Sequence, residues 1–132
     1  MARPAAGPDH EVVMREIVDA AHHIHVQVVP GLLESVYESF LAAELLRRRF
    51  RVRRRVAVAA EHRGVRVDVA FRADLIVNDE VVVEVKAVEK LAPIHTRQLL
   101  TYLRLLRLRH GLLINFNEAV IKAGIARVVN GY

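Results

Sequence analysis

Two neighbouring aliphatic runs, Leu75–Val77 and Val81–Val85, constrain the fold of this chain more than any other feature. β-Branched residues favour strands, and the polar residues Asn78–Glu80 between the runs indicate a hairpin turn. Each run is apolar on both faces, whereas a strand with one face in water alternates apolar and polar residues. We therefore predict two central strands that helices cover on both sides.

Helical spacing of apolar residues indicates three helices around this hairpin. The first is predicted from Asp9 or His10 to Val28, and the second from about Leu32 to Arg49, because the pair Pro30–Gly31 interrupts the pattern. The third is predicted from about Ile94 to Arg109, and we expect Gly111 to end it.

Alternating residues from Val52 to Val88 predict a three-stranded antiparallel meander with turns near Glu61–Gly64 and Asn78–Glu80. The segment "LLINF" predicts a fourth strand, and the last residues a short helical or strand-like end. We expect an α/β fold with a mixed, mainly antiparallel sheet of about four strands flanked by helices. A chain of 132 residues with 53% hydrophobic content suits one domain, over residues 11–132, after a flexible tail at 1–10.

The composition excludes several classes of site. Without cysteine the chain has no disulfide, thiolate zinc site, iron–sulfur cluster or thiol nucleophile, so a metal would need oxygen or imidazole ligands. The segment "MARPAAGPDH" has no signal-peptide core, and no apolar run approaches the roughly 20 residues of a membrane span. We expect a soluble, cytoplasmic protein with no membrane partner, whose net charge of +5 is compatible with a polyanion.

The predicted hairpin carries three charged residues, Asp74, Glu84 and Lys86. A two-residue turn would put the two carboxylates on opposite faces, whereas a three-residue turn would place Asp74 directly across from Glu84. Facing carboxylates repel one another unless they share a cation, and oxygen ligands suit Mg²⁺ or Mn²⁺. The alternative is that Lys86 simply pairs with a carboxylate on a solvated face.

The same residues resemble a known family. Asp74 followed by Glu84-Val85-Lys86 is similar to the D…(D/E)xK signature of the PD-(D/E)XK nuclease superfamily. "GLLESVY" matches the G-x-x-E-x-x-Y motif of the bacterial GxxExxY family within it, and the likeness continues through "RADLIV", "VEVKAVEKL", "QLLTYLRL", "GLLINFN" and "RVVNG". Gln98 and Tyr102 resemble the Q-x-x-x-Y motif of RecB-like exonucleases.

This resemblance implies a restriction-endonuclease-like core and a Mg²⁺- or Mn²⁺-dependent nuclease that acts on DNA. It implies that Asp74, Glu84 and the backbone carbonyl of Val85 bind the metal, with His25 as a further ligand. Lys86 would orient the attacking water and offset the charge on the phosphate. The resemblance also implies supporting roles in catalysis for three further residues, which are Glu34, Gln98 and Tyr102.

Several alternatives stay open. A helix-borne glutamate such as Glu34 is favourable at a helix N-terminus whatever its chemistry, and His22, His23 and His25 lack the spacing of a helical zinc pair. The run "RRRFRVRRR" could follow a phosphate backbone or simply keep an edge strand soluble. The chain could be a nucleic-acid-binding or assembly module that does not cut, or could use its charges only structurally. Its small size is compatible with a homodimer or a larger protein partner.

Overall fold

The computed structural model describes residues 9–131. Residues 1–8 of the tail predicted at 1–10, and the last residue, lie outside this range. Helix α1 spans His10–Gln27 and begins where the Asp9 side chain accepts hydrogen bonds from the amides of Glu11 and Val12. Helix α2 spans Glu34–Arg47, and both helices therefore begin and end close to the predicted positions.

Five strands form one sheet in sequential order, so the expected four strands are joined by a fifth at the C-terminal end. All neighbours are antiparallel except β3 (Val81–Lys86) and β4 (His110–Asn115), which confirms a mixed, mainly antiparallel sheet. A short 3₁₀ helix, Ile121–Gly124, precedes the last strand. The strands are β1 Val52–His62, β2 Val65–Val77, β3 Val81–Lys86, β4 His110–Asn115 and β5 Ile125–Val129.

Helix α3, Pro93–Leu106, connects the parallel strands β3 and β4. The prediction that Gly111 ends this helix is wrong, because the helix ends at Leu106 and Arg107 takes the left-handed conformation, with a φ of 57°. Gly111 instead lies in β4, where an added Cβ would stand only 2.9 Å from the Leu99 side chain. The glycine therefore allows α3 to pack closely against the sheet.

Helices cover both faces of the sheet, as predicted. Helices α1 and α2 bury one hydrophobic core, to which the sheet contributes Leu75, Val83 and Ile114. Helix α3 buries a second core against residues such as Ile76 and Val82. Among the residues that the structure describes, no helix has the length and apolar character needed to cross a bilayer.

The turn between β2 and β3 contains three residues, Asn78–Glu80, because Val77 pairs with Val81. Asn78 and Asp79 have φ values of 53° and 54°, a conformation that their short polar side chains tolerate. Arg51, the residue before β1, holds this turn: the Asn78 side chain accepts a 2.9 Å hydrogen bond from the Arg51 amide. The three-residue alternative is thus the correct one.

Candidate active site

Asp74 and Glu84 face one another just beyond the paired part of β2 and β3. The last regular pair is Leu75 with Val83, so the same register places Asp74 opposite Glu84. There the carboxylates, instead of backbone carbonyls, accept hydrogen bonds from the backbone amides of the neighbouring strand. The amide of Val85 donates to Asp74 Oδ2 at 2.8 Å, and the amide of Asp74 donates to Glu84 Oε1 at 3.3 Å. Both carboxylates are therefore held in place by backbone groups.

Burial makes this carboxylate pair electrostatically unusual. Glu84 is only 5% exposed, and burial together with the negative charge of Asp74 raises the pKa of Glu84 to about 9. Burial also raises the pKa of Asp74, while the charge of Lys86 lowers both values by a smaller amount. The pair thus holds a proton at neutral pH unless a cation offsets its charge.

The donor set fits a hard divalent cation. Within residues 9–131, no three histidine, aspartate or glutamate side chains converge as a metal-binding group. An ion at Asp74 and Glu84 would therefore complete its shell with backbone oxygen, for which Val85 lies next in β3, and with water. Mg²⁺ commonly binds in this way, through one or two carboxylates and several waters.

Lys86 occupies the position two residues after Glu84 in β3, so the two side chains leave the same face of the strand. The backbone at this point is fixed by the neighbouring strand, because the amide of Phe116 donates to the Lys86 carbonyl at 2.9 Å. The fully buried Asn115 side chain accepts from the Val88 amide at 3.1 Å and donates to the Val88 carbonyl at 2.9 Å. Asn115 thus holds the loop that follows Lys86.

Glu34 is the first residue of α2, as the sequence indicated. Its Oε2 atom accepts a 3.0 Å hydrogen bond from the amide of Ala87, the residue after Lys86. The remainder of the G-x-x-E-x-x-Y motif shapes the approach to this helix: Gly31 has a φ of 85°, and the Tyr37 hydroxyl donates to the Val29 carbonyl at 3.1 Å. The motif therefore brings the N-terminus of α2 to the end of β3.

Tyr102 approaches the carboxylates from the α3 side of the sheet. Its ring stacks on Phe71 with centroids 3.6 Å apart. Burial raises the pKa of Tyr102, and the negative charges of Glu84 and Asp74 add to this effect. Gln98, one turn earlier, is exposed and lines the same surface groove as Tyr102.

His25 lies in a different environment from the carboxylate pair. Its Nε2–H donates to the Glu118 carbonyl at 2.7 Å, and its ring lines a cavity of 270 Å³ beside Tyr37 and Phe116. This hydrogen bond occupies Nε2 and leaves the lone pair of Nδ1 free. His22 and His23 are exposed, as expected of surface histidines.

An open cavity of 590 Å³ lies between the start of α2 and the strands β1 and β2. Its charged lining consists of three acidic and two basic residues, which are Glu34, Glu38, Asp74, Arg55 and Arg72. The candidate residues Glu34 and Asp74 were expected here, but the other three were not singled out. Nothing in the sequence distinguishes Arg55 from its arginine neighbours.

Side-chain alternation changes at the facing positions Arg55 and Asp74. Val52 belongs to the core beneath α1 and α2, whereas Val56 packs on the α3 core, although residues four apart share a face in a regular strand. Ala73 and Leu75 of β2 likewise belong to different cores. The switch coincides with a φ of 50° at Arg55. It lets Arg55 and Asp74 line the same cavity.

The comparisons with known proteins give one match. A family model described as the PD-(D/E)XK nuclease superfamily matches residues 11–128. The five-stranded mixed sheet with helices on both faces agrees with the restriction-endonuclease-like fold of that superfamily. No curated protein and no solved structure matches the chain. The narrower GxxExxY assignment stays a prediction.

Proposed function

Because the chain belongs to the PD-(D/E)XK nuclease superfamily, we propose that it is a metal-dependent nuclease that hydrolyses DNA phosphodiester bonds. The observation that carries the proposal is the convergence of the Asp74 and Glu84 carboxylates, held by backbone amides, with Lys86 on the same strand face as Glu84. Such a group of two acids and a lysine suits hydrolysis by direct attack of water.

Asp74, Glu84 and the Val85 carbonyl would hold Mg²⁺ or Mn²⁺. The metal would activate a water molecule and offset charge on the phosphate. Lys86 orients the attacking water and stabilises negative charge on the phosphate oxygens. Glu34 and Asn115 keep Lys86 in position through their contacts with Ala87 and Val88.

Gln98 and Tyr102 would contact the substrate or steady the carboxylates from the α3 side. The shared groove and the effect of both carboxylates on the pKa of Tyr102 support this role. His25 lines a different cavity from Asp74, so the proposed metal site does not include it.

A nuclease assay with a matched pair of lysine variants tests the proposal. We expect Mg²⁺- or Mn²⁺-dependent cleavage of single-stranded or double-stranded DNA, abolished by EDTA. Lys86→Ala should slow cleavage by about 100-fold or more, since it removes charge stabilisation at the reacting phosphate. Lys90→Ala removes the same charge from an exposed loop position and should cleave normally.

Two results would contradict the nuclease proposal. Cleavage that survives Lys86→Ala would show that another group carries the reaction. Salt-dependent DNA binding with no metal-dependent cleavage of any substrate would support the alternative function, a nucleic-acid-binding or assembly module.

A further inference from the structure

The seven arginines between Arg47 and Arg55 have different surroundings. Five of them form ion pairs, which are Arg47 with Glu44, Arg48 with Glu16, Asp19 and Glu44, Arg51 and Arg53 with Asp79, and Arg54 with Glu38. In the part of the chain that the structure describes, Arg49 and Arg55 form no ion pair, and only Arg55 lines the cavity beside Asp74. The run is therefore largely structural, and Arg55 is the exception.

The backbone directs the Arg55 side chain into this cavity. With regular alternation Arg55 would project from the α3 face, opposite Val52 and Arg54. Its φ of 50° instead puts Arg55 on the same side as Arg54, whose guanidinium binds Glu38 of α2. A residue with a Cβ rarely adopts this conformation, and such outliers cluster at functional sites.

Arg72 brings a second cation to the same cavity from β2. Its neighbours Phe71 and Ala73 pack on the α3 core, so Arg72 projects from the opposite face, toward α2. Arg72 is exposed and, among the described residues, forms no ion pair. Two arginines on adjacent strands thus border the cavity beside Asp74.

Among the described residues, no acidic side chain of the cavity forms an ion pair with these arginines. Glu38 is bound by Arg54 at 2.7 Å, Asp74 accepts from the Val85 amide at 2.8 Å, and Glu34 accepts from the Ala87 amide at 3.0 Å. The guanidinium groups of Arg55 and Arg72 are left facing an open space of 590 Å³. A guanidinium is suited to phosphate because its planar fork donates two parallel hydrogen bonds.

We propose that Arg55 and Arg72 bind a backbone phosphate of the nucleic acid next to the phosphate that is hydrolysed at Asp74 and Glu84. This inference rests on the proposed nuclease function and identifies the surface along which the substrate strand leaves the carboxylates. The contact is to the backbone, so it positions the strand without reading its sequence.

Binding of fluorescent single-stranded and double-stranded DNA at several salt concentrations tests the proposal. All measurements use the full chain in Mg²⁺ with Lys86→Ala present, so that the DNA is not consumed. The test variant is Arg55→Asn/Arg72→Gln. Asparagine tolerates the positive φ at position 55, so the substitution removes the cation without straining the backbone. The control is Arg53→Gln/Arg66→Gln, which also removes two charges but from arginines already paired with Asp79 and Asp68.

We expect the test variant to bind DNA about tenfold more weakly, with the slope of log affinity against log salt reduced by about 0.9 for one lost phosphate contact. The control should stay within about twofold of the parent at the same salt. Arg72→Gln alone alters only an exposed strand position and should show a smaller loss in the same direction, which keeps the test valid if the double variant fails to fold.

Equal weakening by the test and control variants would overturn the inference, because net charge alone would then explain the effect. In that case DNA binding by the parent would still be consistent with the proposed nuclease function. A parent that binds neither DNA form even at low salt would overturn the nucleic-acid function itself, and the inference with it.

Discussion

Asp74 and Glu84 each accept a hydrogen bond from the backbone of the other's strand. The carboxylate of Asp74 accepts from an amide of β3, and the carboxylate of Glu84 accepts from the amide of Asp74 in β2. Elsewhere in the hairpin these amides would pair with backbone carbonyls. Two acids therefore replace the ladder at the point where the strands separate, and the proton that they hold at neutral pH keeps them from repelling as two full charges.

A divalent cation should stabilise the protein through this pair. We expect the melting temperature to rise as Mg²⁺ or Mn²⁺ is added, since a ligand that binds only the folded state contributes about 2.7 kcal/mol at 100 times its Kd. Glu84→Ala should remove the rise, whereas Glu89→Ala, at an exposed loop position, should keep it. Thermal melting at increasing metal concentration measures this, and an unchanged rise in Glu84→Ala would exclude the carboxylate pair as the site.

The metal-free protein should lose stability as the pH rises. The folded pKa of Glu84 is about 9, against about 4.3 for an exposed glutamate, so folding favours the protonated carboxyl. This contribution is fully present below about pH 4.3 and is lost as the pH rises through about 9, with a limiting slope of about 1.4 kcal/mol per pH unit for one proton.

Urea denaturation in EDTA across this pH window measures the effect. Glu84→Gln keeps the shape of the side chain but cannot ionise, so its free energy of unfolding should depend less on pH than that of the wild type. The raised pKa of Asp74 acts in the same direction and leaves a residual slope. Parallel pH profiles for the two proteins would show that Glu84 ionises in the fold as freely as in water.

Arg54 should be important for stability because it neutralises a buried acid. Glu38 is 4% exposed, and both its oxygens accept from the Arg54 guanidinium, at 3.3 and 2.7 Å. Arg54→Gln should lower the free energy of unfolding by about 2 kcal/mol, and the added change Glu38→Gln should restore part of it. Arg66→Gln, which breaks an exposed pair with Asp68, should change stability by less than about 0.5 kcal/mol. Equal losses in both single variants, measured by urea denaturation, would refute this account.

Asn115→Asp should destabilise the loop that follows Lys86. The side chain is fully buried and donates to the Val88 carbonyl, a contact that an aspartate would turn into repulsion. We expect a loss of about 3 kcal/mol in unfolding free energy, together with slower cleavage of DNA. Asn117→Asp introduces the same charge two residues later at an exposed position and should be close to neutral. The prediction is wrong if the two variants melt at the same temperature.

Gly31 should tolerate asparagine better than alanine. No atom lies within 4 Å of a Cβ built at Gly31, so the cost of substitution comes from its φ of 85°. Alanine should cost about 1–2 kcal/mol in this conformation, and Asn should cost less because its side chain supports it. Denaturation midpoints of the two variants decide the matter, and an alanine variant as stable as the wild type would mean that the loop adapts.

Periodicity was enough to predict most of the fold, because the helices and strands of this chain differ clearly in their spacing of apolar residues. Gly111 shows where such reasoning fails: a glycine after a leucine-rich helix is typical of a helix end, but here it lies in β4 and makes room for Leu99 of α3. The fifth strand, Ile125–Val129, was ambiguous because so short a segment satisfies either period.

The site was predictable in its residue types but not in its geometry. The sequence did not decide whether the turn has two or three residues. The valines of β3 are apolar on both faces, so burial alone does not select a register. Arg55 carried no signal at all, since a positive φ is usually marked by glycine or asparagine. Asn115 was marked by its sequence, because it is a polar residue at the end of an apolar strand. Its contacts with Val88, however, depend on a distant loop.

The length of the Asn78–Glu80 turn has a consequence for how this sequence can evolve. Removing one turn residue would exchange the two faces of β3, and the aliphatic side chains of Val81–Val85 would still be buried. The sheet would tolerate the deletion, but Glu84 would point away from Asp74. Selection for activity would therefore preserve the length of a surface turn as strictly as it preserves the two acids.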